Sequence, residues 1–186
     1  MTQSAARPFQ FWSSLNLTLL TNRRARDLPE LLRHLREVPG SVIYYHTHHF
    51  LAQHQYLSPE PPNDFAYWVS NVLQEDRLGE QLAAIDLIQF SSIRALRERL
   101  VTTVTDFLDG SRELRTAPEG EDFHFREAAT FLVPTGHVAH TLAEFVDAIE
   151  QIGFGSLSFH IFDARLRIHE GDNDFSQWLA SALGEV

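Results

Sequence analysis

Two stretches of the chain alternate between apolar and polar positions, and each precedes a helical stripe of apolar residues. Leu15, Leu17 and Leu19 alternate in the first stretch, and residues 129–133 alternate in the second. Alternation with a period of two is typical of a short β-strand. Apolar residues then recur at spacings of three and four, which predicts an amphipathic helix after each strand. The first stripe is Leu28, Leu31, Leu32, Leu35 and Val38, and the second is Leu142, Phe145, Val146, Ile149 and Ile152.

Signals for the starts and ends of helices divide the rest of the chain. Asp27-x-x-Glu30 and Thr141-x-x-Glu144 have the spacing of a capping box, and Pro39-Gly40 and Gly153 end the two helices. Each of these two helices is predicted to be followed by a second helix, and then by a third helix whose N-cap is an aspartate. These elements are helices at 41–54 and 155–168, N-caps at Asp64 and Asp174, further helices at 75–85 and 91–110, and a surface linker at 111–122.

The two patterned stretches also resemble each other in sequence. Residues 11–46 align without gaps with residues 125–160, at an offset of 125 − 11 = 114. A second block shares the pattern N-D-F-x-x-W between residues 63–73 and 173–183. This similarity predicts one domain over residues 1–186, mainly α with minor β (α+β), internally duplicated about a pseudo-twofold axis. The predicted parts are copy one at 11–73, a helical connector at 74–122 and copy two at 125–183.

Composition and charge narrow the classes of function. The 186 residues carry a formal net charge of −10 and include no cysteine. Disulfides and thiolate metal sites are therefore excluded. The acidic balance argues against a nucleic-acid partner, which requires basic groups at the phosphates. No apolar stretch reaches the length of a membrane span, and the first residues lack the pattern of a secretory signal. The sequence predicts a cytoplasmic protein whose partner is a small molecule or another protein.

Three of the ten histidines lie in the segment "SVIYYHTHHF" (41–50). On the predicted helix, His46 and His49 lie on one face at i and i+3, and His160 and Asp163 occupy the matching positions in the second copy. If the two copies face each other, these four side chains meet and suit zinc, iron or manganese. Two alternatives stay open: His46 and His160 are core histidines that each make a hydrogen bond, or they perform acid–base chemistry without a metal.

A family resemblance is carried by three motifs. They are "YYHTHHFLAQHQYLSPEPPNDFAYWV", "SLSFHIFDARLR" and "NDFSQWL". With these motifs the chain resembles, over about residues 10–183, a bacterial family known only as a domain of unknown function. The resemblance implies a bacterial origin and a shared fold, and it supplies no reaction and no catalytic residue.

Two classes of function remain. The first is a binding or accessory module with a groove between the two copies, which requires no cofactor. The second is a metal-dependent enzyme, a hydrolase or an oxidoreductase, that uses His46, His49, His160 and Asp163. No sequence motif of a known catalytic class decides between them, and we favour the binding module because the histidines have an adequate structural explanation.

Overall fold

The computed structural model describes residues 4–49, 62–110, 114–164 and 173–182. In chain order the elements are β1 (Ser4–Ala25), α1 (Leu28–Glu37), α2 (Gly40–Tyr44), a π-helical turn (Tyr45–His49), α3 (Asp64–Asn71), α4 (Asp76–Ala83), a 3₁₀ turn (Leu87–Gln89), α5 (Ile93–Gly110), β2 (Phe123–Thr141), α6 (Leu142–Gln151), α7 (Phe154–Ser158), a second π-helical turn (Phe159–Asp163) and α8 (Asp174–Ala182). None of the helices in these ranges combines the length and apolar character needed to cross a membrane.

The two strands pair with each other in an antiparallel sheet. The hydroxyl of Thr21 donates to the carbonyl of Phe125 at 2.6 Å, and that of Thr135 donates to the carbonyl of Phe11 at 2.9 Å. Residue numbers therefore rise along one strand while they fall along the other. β1 has 22 residues and β2 has 19, so both extend far beyond the short alternating stretches that predicted them.

The predicted fold class needs correction. The fold is α+β, with two long strands and, in the described ranges, eight α-helices, and the prediction of a mainly helical, internally duplicated pseudo-twofold domain is wrong. No pseudo-twofold repeat is evident among the described residues. One physical reason is that α4 and α5 supply buried residues to one hydrophobic core, whereas the second core, around Phe145 and Trp178, contains no corresponding pair of helices among the described residues.

The chain separates into two compact units. The terminal unit consists of residues 1–16 and 130–186, and the central unit consists of residues 17–129. Each unit has a hydrophobic core of its own. The division of residues 1–186 into a single domain with parts at 11–73, 74–122 and 125–183 stays a prediction.

The core of the central unit is aliphatic with an aromatic end. Leu28, Leu31 and Leu35 of α1 are at most 1% exposed, as the apolar stripe predicts. They pack with α3, α4 and α5 and with Phe123 and Phe125 of β2. The ring of Phe123 lies 5.2 Å from that of Phe65.

The core of the terminal unit is mostly aromatic. Its buried residues are Phe9, Phe11, Ala139, Phe145, Ala148, Ile152 and Trp178. The rings of Phe145 and Trp178 stack with centroids 5.0 Å apart. Leu142 and Val146, which the sequence places on the inner stripe of α6, are instead 45% and 50% exposed.

The helix starts are partly as predicted. Asp27 accepts from the backbone N–H of Glu30 at 2.9 Å, and Thr141 accepts from that of Glu144 at 3.2 Å, which confirms both caps. The N-cap of α3 is Asn63, whose side chain accepts from the N–H of Ala66 at 2.9 Å. Asn173 accepts in the same way from the N–H of Ser176 before α8. The aspartates predicted as caps are thus the first residues of these helices.

The second helix of each predicted copy has a mixed conformation. α2 and α7 have five residues each and continue directly into a π-helical turn, at Tyr45 and at Phe159. Residues 50–54 and 165–168 of these predicted helices lie outside the described ranges. π-Helical turns inside helices are frequent at functional sites, and here both turns contain a histidine at their second position.

Candidate functional site

His46 lies in the core of the central unit with 2% of its surface exposed. Its Nδ1 is 2.6 Å from Oδ2 of Asp64, the first residue of α3. Its Nε2 is 2.9 Å from the backbone nitrogen of Arg126 in β2. A backbone N–H can only donate, so Nε2 must present its lone pair. The proton of the neutral ring is therefore on Nδ1, where it is donated to Asp64.

The electrostatics of His46 support this neutral form. Burial lowers the pKa of His46 below its ordinary value, while the hydrogen bond and the charge of Asp64 oppose the shift and Arg126 adds to it. A distance of 2.6 Å would also suit an ion pair. A protonated ring, however, would direct its Nε2–H at the N–H of Arg126. We therefore assign the contact as a hydrogen bond from a neutral imidazole to a carboxylate.

His160 makes the corresponding contacts within the terminal unit. Its Nδ1 is 2.7 Å from Oδ2 of Asp174, the first residue of α8, and its Nε2 accepts the backbone N–H of Trp12 at 2.8 Å. The ring is 2% exposed and lies 4.9 Å from that of Phe9. Each unit thus has a buried imidazole that connects a strand backbone to the start of a helix.

These contacts determine what the two histidines can do chemically. An aspartate beside a histidine is the arrangement that orients a general base, provided that the other ring nitrogen faces the group to be deprotonated. In both units that nitrogen instead accepts a backbone N–H. Neither ring offers a free lone pair to a substrate or a metal ion.

The four predicted metal ligands are placed as follows. His46 belongs to the central unit, and His160 and Asp163 belong to the terminal unit. The side chain of His49 lies outside the described residues. Within the described ranges no group of three histidine or carboxylate side chains has an arrangement that could hold a metal ion. The four-residue metal site stays a prediction.

The partners of the two histidines were missed by sequence reasoning. The sequence predicts Asp64 and Asp174 as helix caps, and the backbone groups of Arg126 and Trp12 leave no sequence signature. The one available signal was the recurrence of N-D-F-x-x-W after each histidine, because a cap needs only the asparagine and leaves the adjacent aspartate unexplained.

His48 is a second substantially buried histidine of the central unit. Its Nε2 donates to the carbonyl of Leu87 at 3.2 Å, and its ring stacks on that of Tyr44 with centroids 5.9 Å apart. Burial lowers the pKa of His48 to about 4, although the hydrogen bond to Leu87 acts in the opposite direction. His48 is therefore neutral at physiological pH.

A cavity of about 720 Å³ opens beside His160 in the terminal unit. Its size is within the range of small-molecule sites. It is lined by Arg7, Pro8, Phe9, Gln10, Trp12, Leu132, Phe159, His160, Asp174, Gln177, Trp178 and Ser181. The lining combines aromatic rings with a few polar groups, which is the usual composition of a ligand site.

One face of α8 forms a polar wall of this cavity. Asp174, Gln177 and Ser181 lie at i, i+3 and i+7 and therefore point to the same side of the helix. Trp178, on the same face, is 7% exposed and donates its indole N–H to the backbone carbonyl of Arg7 at 2.8 Å. This bond attaches α8 to the first part of β1 at the cavity.

Comparison with known proteins places the chain in a family. None of the proteins with curated functions matches it in sequence. It is similar to OrfY from Thermoproteus tenax, whose solved structure is 32% identical and superposes with a TM-score of 0.86, over 98% of this chain and 82% of that one. The model of a family of unknown function, DUF5752, matches residues 6–186, and the chain therefore belongs to the DUF5752 family.

Proposed function

We propose that the protein is a binding module that holds a small molecule in the cavity of the terminal unit. The observation that supports this proposal is the cavity of about 720 Å³ beside α8, with aromatic residues in its lining and polar side chains along one helical face. Sites of this size and composition bury most of the surface of a small ligand.

A binding role fits the cavity better than a catalytic role. Among the described residues of its lining, His160 is the one imidazole, and both of its ring nitrogens are engaged, with Asp174 and with the N–H of Trp12. A general base must have a lone pair within reach of the proton that it removes. His160 therefore maintains the shape of the cavity and does not transfer protons there.

The alternative, a metal-dependent enzyme that uses His46, His49, His160 and Asp163, has less support. A histidine binds a metal ion through the lone pair of a ring nitrogen. His46 and His160 direct this lone pair at backbone N–H groups, at 2.9 and 2.8 Å. Metal binding would have to break both hydrogen bonds.

The proposal can be tested with a neutral fluorescent probe, N-phenyl-1-naphthylamine, titrated into the full chain. We expect saturable binding of one probe per chain. Gln177→Phe places a large side chain at the cavity and should abolish it. Ser176→Phe, at the adjacent exposed position of the same helix, which does not line the cavity, is the matched control and should bind normally. Equal binding by both variants, or no saturable binding by the unmodified chain, would contradict the proposal.

A further inference from the structure

We infer that the ligand of this cavity is an anion, a small molecule that has a carboxylate or phosphate group on an apolar or aromatic body. The inference rests on the proposed function, because it assigns a chemical class to the ligand of the same cavity. The residue that carries it is Arg7.

Among the described residues of the cavity lining, Arg7 is the one side chain with a permanent positive charge. It is exposed, and it makes no side-chain hydrogen bond or ion pair with any other residue that the structure describes. In contrast, Arg23 and Arg24 of the same strand, and Arg26 directly after it, each have a carboxylate partner. The guanidinium of Arg7 is therefore available, with five donors in the planar arrangement that suits a carboxylate or a phosphate.

The backbone of Arg7 is held at the cavity. Its carbonyl accepts the indole N–H of Trp178 at 2.8 Å, and the next residue, Pro8, restricts the conformation of the chain there. An anchored backbone reduces the entropy lost when the side chain binds a ligand. Arg7 is thus a partly preorganised anion-binding group.

The acidic group in the same lining is Asp174. One of its carboxylate oxygens accepts the Nδ1–H of His160 at 2.7 Å, and 18% of its side chain is exposed. Arg7 is more accessible than Asp174. A charged ligand therefore meets the cation first, while Gln177 can supply a neutral hydrogen bond.

The rest of the ligand faces apolar surface. At the cavity, Trp12 is half-buried and Leu132 is 52% exposed. Phe9 and Phe159 are buried behind the surface, at 7% and 4% exposure. Apolar contact of this kind contributes affinity in proportion to the area removed from water. A purely inorganic anion leaves this surface unused, so an organic anion is the better fit.

The test compares four benzene derivatives of different charge: benzoate, phenyl phosphate, neutral benzyl alcohol and cationic benzylammonium. Binding is followed through the amide and indole ¹H–¹⁵N signals of the full chain, including those of Trp12 and Trp178. We expect benzoate, phenyl phosphate or both to bind more tightly than the other two probes, and the preferred anion identifies the anionic group.

Arg7→Gln should lower the affinity for that anion by about tenfold or more, which is the loss typical of a charge-assisted hydrogen-bonded pair. Arg99→Gln, at an exposed position of α5 in the central unit, is the control and should bind as the unmodified chain does.

The outcomes separate this inference from the proposed function. If the neutral dye binds but benzyl alcohol or benzylammonium matches or exceeds both anions, the cavity is a ligand site and the anion inference is wrong. The same conclusion follows if Arg7→Gln binds the anions normally, or if the dye binds and no benzene derivative does. If neither the dye nor any derivative binds, the proposed function fails as well.

Discussion

Nδ1 of His46 lies 2.6 Å from Oδ2 of Asp64, and the opposite nitrogen of the same ring accepts the backbone N–H of Arg126. One imidazole thus connects the π-helical turn after α2 to the start of α3 and to strand β2. Buried polar groups of this kind stabilise a fold when every donor and acceptor is satisfied, and they destabilise it when one partner is removed.

Removal of the His46 ring should be strongly destabilising. His46→Ala leaves the N–H of Arg126 and the carboxylate of Asp64 without their partner and creates a cavity, so we expect a loss of about 3 kcal/mol in the free energy of unfolding. Urea denaturation at pH 7.5 measures it. His124→Ala, at an exposed position of β2, should change stability by less than about 0.5 kcal/mol. Equal losses in the two variants would show that the His46 ring does not stabilise the fold through its two hydrogen bonds.

The neutral form of His46 makes a distinct prediction for Asp64. An amide oxygen can still accept the Nδ1–H, so Asp64→Asn should cost about 1 kcal/mol, whereas Asp64→Ala should cost about 2 kcal/mol. A buried ion pair behaves differently, because removal of the negative charge alone typically costs about 3–5 kcal/mol. Equal, large losses in both variants in urea denaturation would mean that His46 is protonated.

Stability should fall as the solution is acidified, partly because of His48. Its pKa is lowered from 6.5 to about 4 in the folded protein, so the unfolded chain binds a proton more readily between these values. Above pH 6.5 His48 is neutral in both the folded and the unfolded state and does not lower stability. As the pH falls towards 4, protonation of the unfolded chain lowers the free energy of unfolding by about 3 kcal/mol in total. The lowered pKa of His46 acts in the same direction.

Denaturation curves from pH 7.5 to pH 4.5 check the role of His48. His48→Asn should reduce the slope of the free energy of unfolding against pH, and His124→Asn should leave the slope as it is in the unmodified chain. Carboxylates also titrate at the acidic end, so the difference between the two variants is the informative quantity. Identical slopes would show that His48 does not titrate as its burial implies.

Metal removal should leave the protein unchanged. Since the lone pairs of His46 and His160 are directed at backbone N–H groups, chelator treatment should not alter the thermal midpoint, and added Zn²⁺ should not raise it. Protein purified without a histidine tag provides the sample. Near-stoichiometric zinc, iron or manganese that disappears in His46→Ala would instead support the four-residue metal site.

The elements of this fold with strong local signals could be predicted from the sequence. The stripe of α1 and the two N-caps depend on residues that are three or four positions apart, and they appear as predicted. The glutamate of each capping box accepts the backbone N–H of the residue before the cap, Arg26 or His140. The length of β1 could not be predicted, because its pairing with β2 continues through "TNRRA" (21–25), where alternation is weak. Alternation also does not reveal burial: Phe11 is fully buried, whereas Leu15 and Leu17 are 56% and 50% exposed.

The site itself required tertiary structure. His46 and Asp64 are 18 residues apart and His160 and Asp174 are 14 apart, so no helical spacing connects them. The backbone donors of Arg126 and Trp12 are 80 and 148 positions from their acceptors. Arg7 lies in a segment with no functional pattern, and its proposed role follows from its position in the cavity lining alone.

We assign both imidazoles as neutral rings that donate to an aspartate and accept a backbone N–H, and this assignment has a direct spectroscopic test. An N–H···N hydrogen bond transmits a scalar coupling between its two nitrogens, which NMR of the uniformly ¹⁵N-labelled chain can detect at pH 7.5. The structure predicts couplings from the amide nitrogen of Arg126 to Nε2 of His46 and from that of Trp12 to Nε2 of His160, with the ring proton on Nδ1 in both. A proton or a metal ion on either Nε2, with the coupling absent, would contradict the assignment.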